Sequence, residues 1–240
     1  MSSGGGFDLS CGILSTDGRI YQVEYASKAV DDQETVLGIR CSDGIVLASE
    51  IRLPTKHVVE GTHHRLFLVD DHIIMGCAGL LFDGKALVAR AREECSNHRA
   101  QSEVEPGIRA IADKVAMEVH SHTLHGVYRP YGSVVFIAGV YKGKPELYCI
   151  NPSGANLGYF ANAAGDGRQL AKTELERLNL ADIDVDTAVV EMKRIMDLLK
   201  EDATIPEEFY SREMMVVRRV EDAVDIERVD IEGIEVPETE

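Results

Sequence analysis

Residues 35–41 (TVLGIRC) and 45–51 (IVLASEI) are apolar runs of strand length separated only by Ser42-Asp43-Gly44. An Asp-Gly pair accepts the positive φ of a tight hairpin turn, so the two runs are predicted to pair antiparallel. Residues 65–69 and 72–78 repeat the arrangement around Asp70-Asp71. Two apolar hairpins in succession require a sheet, and that sheet must be covered by other layers.

The covering elements follow in blocks. Asp83 is placed to cap a helix through GKALVARAREECSNHR, and Pro106 opens a second helix whose Ile108, Ile111, Ala112, Val115, Ala116 and Val119 share one face. Strands return at 133–140, 146–150 and 157–161, helices at 166–178 and 185–201, and a last strand at 213–220. Strands and helices grouped in this way predict an α+β domain with segregated layers rather than a doubly wound sheet. The expected organisation is an N-terminal arm at 1–17, a single domain at 18–220 that begins with a helix at 18–31, and an acidic, disordered tail at 221–240. In that tail Asp and Glu dominate and Arg228 is the only basic residue.

The opening helix, GRIYQVEYASKAV, stands outside the layered plan. Ile20, Val23, Ser27 and Val30 make one stripe at helical spacing, and Tyr21 and Tyr25 make a second beside it. A helix that packs only on its own body needs one apolar stripe. The tyrosines are therefore either a wide core face with wet hydroxyls or a second surface for a neighbouring chain.

Composition removes several function classes. A net charge of −16 is incompatible with the basic surface that phosphate neutralisation requires, so nucleic acid is not an expected partner. The best apolar run, 73–82, is too short to span a membrane, and MSSGGGFDLS lacks the basic and apolar parts of a secretory signal. A soluble intracellular chain is the expectation. Cys11, Cys41, Cys77, Cys95 and Cys149 are odd in number and widely spaced, and read as reduced core thiols. His63-His64 and the group His120, His122 and His125 do not converge at helical spacing, so no metal site is expected. Gly165-Asp166-Gly167 before a helix lacks the remainder of a nucleotide fingerprint and predicts close strand-to-helix packing instead.

FDLSCGILSTDGRIYQVEYASKAV resembles the signature that opens the α subunits of the 20S proteasome: an aromatic-Asp pair, Ser-Pro-Asp-Gly-Arg, then Gln-Val-Glu-Tyr-Ala. The similarity continues through AGLLFDGKALVARAREE, RPYGSVVFIAGV and NPSGANLGYFANAAGDGRQLAKTELE, and spans nearly all of residues 7–220. Phe-Asp-Leu-Ser, the acidic tail and GIRCSDGIVLASE look most like the branch at the seventh position of the eukaryotic α ring. The resemblance implies a four-layer αββα N-terminal-nucleophile sandwich, two antiparallel sheets between two pairs of helices, with an extra N-terminal helix. It further implies a non-catalytic subunit of a heptameric ring, without a cofactor, working in the cytoplasm and nucleus in ubiquitin-dependent and independent protein degradation. Its implied partners are the other α subunits, the β-ring subunits that carry the proteolytic sites, and a regulatory particle or other activators that dock through C-terminal tails. The opening helix would lie against the adjacent subunit, and the arm ahead of it would help close the pore.

Residue by residue, the family's gate cluster of Tyr, Asp, Pro and Tyr falls on Phe7, Asp8, Thr16 and Tyr25, with Tyr21 at the ring interface. Phe7 lacks the hydroxyl, and Thr16 lacks the ring that fixes φ. The activator pocket falls on Arg65, Gly79 and Leu80, where an arginine can pair with a tail carboxylate. The alternative is an exposed strand-end arginine satisfied by Glu60 or Asp70. The catalytic positions of the β subunits fall on Glu34 for the threonine nucleophile, Glu50 for its partner aspartate and Gly61 for the lysine. A carboxylate cannot replace the attacking hydroxyl, so no peptidase activity is expected. Gly61-Thr62 resembles a processing site, but cleavage there would remove the first two strands. Two rival readings are another N-terminal-nucleophile hydrolase and a free-standing binding module on the same layers.

Overall fold

The computed structural model describes residues 6, 9–59, 61–202, 206, 209–220 and 223–234. Its elements run α1 (Tyr21–Asp31), β1 (Val36–Arg40), β2 (Gly44–Arg52), β3 (Leu66–Asp70), β4 (Ile73–Gly79), α2 (Leu81–Ser102), α3 (Ile108–Leu124), β5 (Ser133–Tyr141) and β6 (Lys144–Ile150). They continue with β7 (Asn156–Gly158), β8 (Ala161–Ala164), α4 (Arg168–Leu175), α5 (Val185–Asp202), β9 (Tyr210–Val220) and β10 (Ala223–Val229). One sheet has the order β10-β9-β2-β1-β8 and the other β3-β4-β5-β6-β7. Both are antiparallel throughout. The Asp-Gly hairpin closes as predicted, with Val36 opposite Ser49 and Arg40 opposite Ile45.

The two-residue period of the strands sorts their side chains into three apolar clusters. In β2, Ile45 and Leu47 join Ile74, Phe136 and Val217 between the sheets, while Val46 and Ala48 face Met192 and Met196 of α5. In β5, Phe136 and Ala138 face the other sheet, while Val135 and Ile137 meet Leu87 of α2 and Val115 of α3. Strands buried on both faces read as nearly continuous apolar runs, which is why TVLGIRC and IVLASEI do not alternate in polarity. The result is four layers: α2 and α3, sheet, sheet, α4 and α5. The predicted face of α3 is buried along its whole length, from Ile108 to Val119.

Three local expectations are corrected. The first helix starts at Tyr21, not residue 18, because Gly18 at φ +74° closes a turn in which its N–H donates to the Ser15 carbonyl over 2.9 Å. Asp83 does not cap α2; it lies in the first turn, where its carboxylate accepts from the Arg129 guanidinium at 2.8 and 2.7 Å and from the Gly132 N–H at 2.8 Å. Finally, the chain beyond residue 220 is not a disordered tail throughout. Residues 223–229 form β10 along β9, with Ile226 opposite Val217, and Ile231 is buried against the helix-facing core. Val224 and Ile226 keep a two-residue period inside the acidic composition, and their partial burial against the core between the sheets sets the boundary that charge counting obscured. Residues 221–222 and 235–240 lie outside the described residues.

Gly165 and Gly167 are packing devices, as the missing fingerprint predicted. A Cβ on Gly165, whose φ is +113°, would lie 2.6 Å from the Glu34 carbonyl oxygen, and one on Gly167 would lie 2.4 Å from a Leu199 methyl.

All five cysteines are free and buried. Burial pushes the thiols of Cys41, Cys77, Cys95 and Cys149 up to about 12. The thiolate is the nucleophile. Iodoacetamide at pH 8 is therefore expected to leave these four unmodified in the native chain and to alkylate them in urea, as read by peptide mass spectrometry. Alkylation of any of them in the native chain at the rate of a free thiol would contradict this placement.

Candidate functional site

The two sheets approach each other at the start of β1, where several charged side chains are buried together. Glu34 and Thr35 link α1 to β1, and Arg65 directly precedes β3. Arg65 is only 2% exposed and Glu34 only 7%. The Arg65 Nη2 donates to Glu34 Oε2, and Nη1 donates to the carbonyl oxygens of Gly79 at 2.8 Å and Cys77 at 3.2 Å. Burial pulls the guanidinium below its ordinary pKa, and the negative charge of Glu34 opposes that shift. Glu50, also buried, accepts the Tyr210 hydroxyl at 2.8 Å and the Thr35 N–H at 3.4 Å. Burial and the adjacent Glu50 push the Tyr210 phenol up.

These contacts revise two sequence expectations. Arg65 is not an exposed arginine satisfied by Glu60 or Asp70. Its partner is Glu34, Asp70 is engaged by Arg99 at 2.7 Å, and Glu60 lies outside the described residues. Gly61, expected at the lysine position, sits in an exposed loop at φ +74° with nothing within 4 Å of its Cβ direction. The basic side chain that stands beside Glu34 is Arg65. The two buried carboxylates are held in separate pairs here, Glu34 by the Arg65 guanidinium and Glu50 by the Tyr210 hydroxyl.

A third buried carboxylate closes this end of the sandwich, and sequence reasoning missed it. Glu213 on β9 accepts the N–H groups of Arg65 and Leu66 and the Arg228 guanidinium at 2.8 Å, and it lies 3.0 Å from His64 Nδ1. Arg228 on β10 also donates to the Leu66 carbonyl at 2.9 Å, so the acidic segment is pinned to β3 of the opposite sheet. The available signal was a glutamate set against the apolar run of β9, because a charge at such a position is retained only when paired.

The remaining expected residues divide into two groups. Gly79, at φ +99°, leads into Leu80 and α2, and a Cβ there would lie 2.4 Å from the Gly132 carbonyl oxygen. Arg65, Gly79 and Leu80 are therefore brought together. On α1 only Ala26 and Val30 are buried, whereas Tyr25 is 50% exposed. Tyr21 and Tyr25 stack with centroids 6.4 Å apart, and the Arg19 guanidinium lies 5.5 Å over Tyr21. Of the second stripe, Tyr25 is therefore surface and Tyr21 is half-buried. Thr16 is exposed in the turn before α1. Phe7 and Asp8 lie outside the described residues. The chain from Leu9 onward rests on the loop after α3, where the Cys11 thiol lies 3.5 Å from the Tyr128 carbonyl oxygen.

The histidines point to separate partners: His64 to Glu213, His120 to the Ser153 carbonyl, and His122 between the rings of Tyr128 and Tyr131.

Comparison with known proteins adds to this geometry. The proteasome subunit family model matches residues 30–210. The chain is 43% identical over 197 residues to the proteasome subunit alpha type-3 of Oryza sativa subsp. japonica, covering 82% of this chain and 79% of that protein. It is 41% identical over 204 residues to the alpha type-3 subunit of Arabidopsis thaliana, covering 85% and 82%. For the alpha type-3 subunit of Acanthamoeba castellanii the identity is 40% over 202 residues, covering 84% and 80%. With four layers in family order and a match running from the end of α1 to the start of β9, this chain belongs to the proteasome subunit family.

Proposed function

We propose that this chain is a structural, non-catalytic α subunit of the 20S proteasome core particle. The observation that supports the reading is the closed ion pair at the start of β1: Glu34, which the family resemblance aligns with the nucleophile, has no hydroxyl to attack a carbonyl and is bound to Arg65. The names of its relatives support the α assignment, and the exposed Tyr25, stacked on the half-buried Tyr21 of α1, supports a second, intermolecular surface. In this reading the chain takes one place in a heptameric α ring, stacked on a β ring whose subunits cut the peptide bonds. Phe7, Asp8, Thr16 and Tyr25 belong to the gate and the adjoining ring contact. Arg65, Gly79 and Leu80 line the docking position for C-terminal tails of a regulatory particle or another activator. The particle works in the cytoplasm and nucleus, in ubiquitin-dependent and independent degradation.

Native mass spectrometry of the chain, tagged at its C-terminus and recovered gently from its own cells, tests this. The expected result is a large complex with other α-like and β-like chains whose peptidase activity survives Glu34→Gln. A lone monomer would return the chain to a free-standing binding module. Activity that disappears with Glu34→Gln in an intact complex would make this chain a hydrolase.

A further inference from the structure

The Arg65 guanidinium has the geometry of a carboxylate receptor. Its Nη1 is fixed by two backbone carbonyl oxygens, those of Gly79 and Cys77, which orient the fork. Its Nη2 holds a carboxylate, and its buried Nε has no partner among the described residues. An arginine held in this way presents a rigid edge to one planar anion. The anion in place belongs to Glu34, which sits on the short link between α1 and β1 rather than within a strand, so its side chain is not needed for any ladder.

We propose that the Arg65 cradle is a carboxylate-binding site kept closed by this chain's own Glu34. The inference rests on the reading of Arg65, Gly79 and Leu80 as the docking position for a tail carboxylate, and it reverses what that position does in this chain. A tethered occupant acts at an effective concentration of at least about millimolar, so a tail at micromolar concentration is outcompeted by roughly a thousandfold. Glu34 and Arg65 are both buried, and an incoming carboxylate reaches the guanidinium only after Glu34 leaves. Tails that dock beside this subunit therefore bind through contacts other than Arg65. Glu34 acts here as a built-in competitor.

The test uses the assembled particle carrying wild-type chain, Glu34→Ala or Glu34→Gln, with formate as the carboxylate probe and formamide as its neutral control. Phenylglyoxal modification of Arg65 is mapped by mass spectrometry, with the exposed Arg109 as the internal reference. In the wild type, Arg65 is expected to stay unmodified while Arg109 reacts. In Glu34→Ala, its modification is expected to rise at least about tenfold as protection is lost. Formate, but not formamide, then restores protection. Should Glu34→Ala fail to assemble, Glu34→Gln, which keeps a neutral acceptor on Nη2 but loses the charge, is expected to raise Arg65 modification by a smaller factor, again reversed by formate. Wild-type Arg65 reacting as fast as Arg109, or a variant indifferent to formate, overturns the proposal. A synthetic alanine-rich peptide with a free terminal carboxylate, compared with its amide, separates the two ideas. If only the free acid stimulates peptide hydrolysis by the variant particle, the docking reading and the proposal both stand. Formate protection without stimulation keeps the self-closed site and removes the docking reading.

Discussion

Arg65→Met is expected to destabilise the folded chain by about 3–5 kcal/mol, because it leaves Glu34 buried without its counter-charge. The Gly79 and Cys77 carbonyls lose their donor in the same step. Most of the cost comes from the orphaned charge and not from the attraction that is lost. The double variant Glu34→Met, Arg65→Met should therefore recover most of the stability, since an apolar pair of similar volume removes the desolvation penalty on both sides. Urea unfolding of the single and double variants measures both numbers. A cost below about 1 kcal/mol would mean that water reaches the pair and that it behaves as a surface ion pair.

Gly165→Ala is the second large effect, expected at about 3 kcal/mol or more. Two terms add. A φ of +113° lies outside the conformations that L-residues adopt at low cost, and the new Cβ would lie 2.6 Å from the Glu34 carbonyl oxygen and 2.7 Å from the Thr35 Cα. Both neighbours are backbone, so no rotamer change relieves the contact. They also belong to the link that carries Glu34, and the substitution is expected to loosen the Arg65 pair as well as the β8–α4 turn. A fall of several degrees in Tm, with Arg65 newly open to phenylglyoxal, is the expected result. An unchanged Tm would show that this turn relaxes freely.

Gly165 also shows how a correct sequence reading can stop short. The missing fingerprint argued for close packing, and the turn does pack closely. Its neighbours, however, are residues 34 and 35, whose approach depends on β8 lying beside β1 with Val36 opposite Ala164. Arg65 is the opposite case. The resemblance put it beside Gly79, with a tail carboxylate or the local Glu60 or Asp70 as its expected partner, whereas the carboxylate in place lies 31 residues away. The tail failed for a third reason: average charge over residues 221–240 outweighed the short period of Val224 and Ile226, which alone identifies β10.

What the amino-acid sequence determined by itself is local and periodic: the two hairpins, the doubly buried strands, the single face of α3 and the second stripe of α1. These follow from backbone geometry, because the two-residue and 3.6-residue repeats place side chains on faces whatever lies opposite. The family follows from ordered motifs of the same kind. Only the tertiary structure decided which charges meet. Glu34 with Arg65, Glu50 with Tyr210, and Glu213 with residues about 148 positions away depend on sheet register and on how the two sheets stack. A buried charge must be paired, but the sequence alone does not name its partner, because pairing energy is set by distances that exist only after the layers have closed.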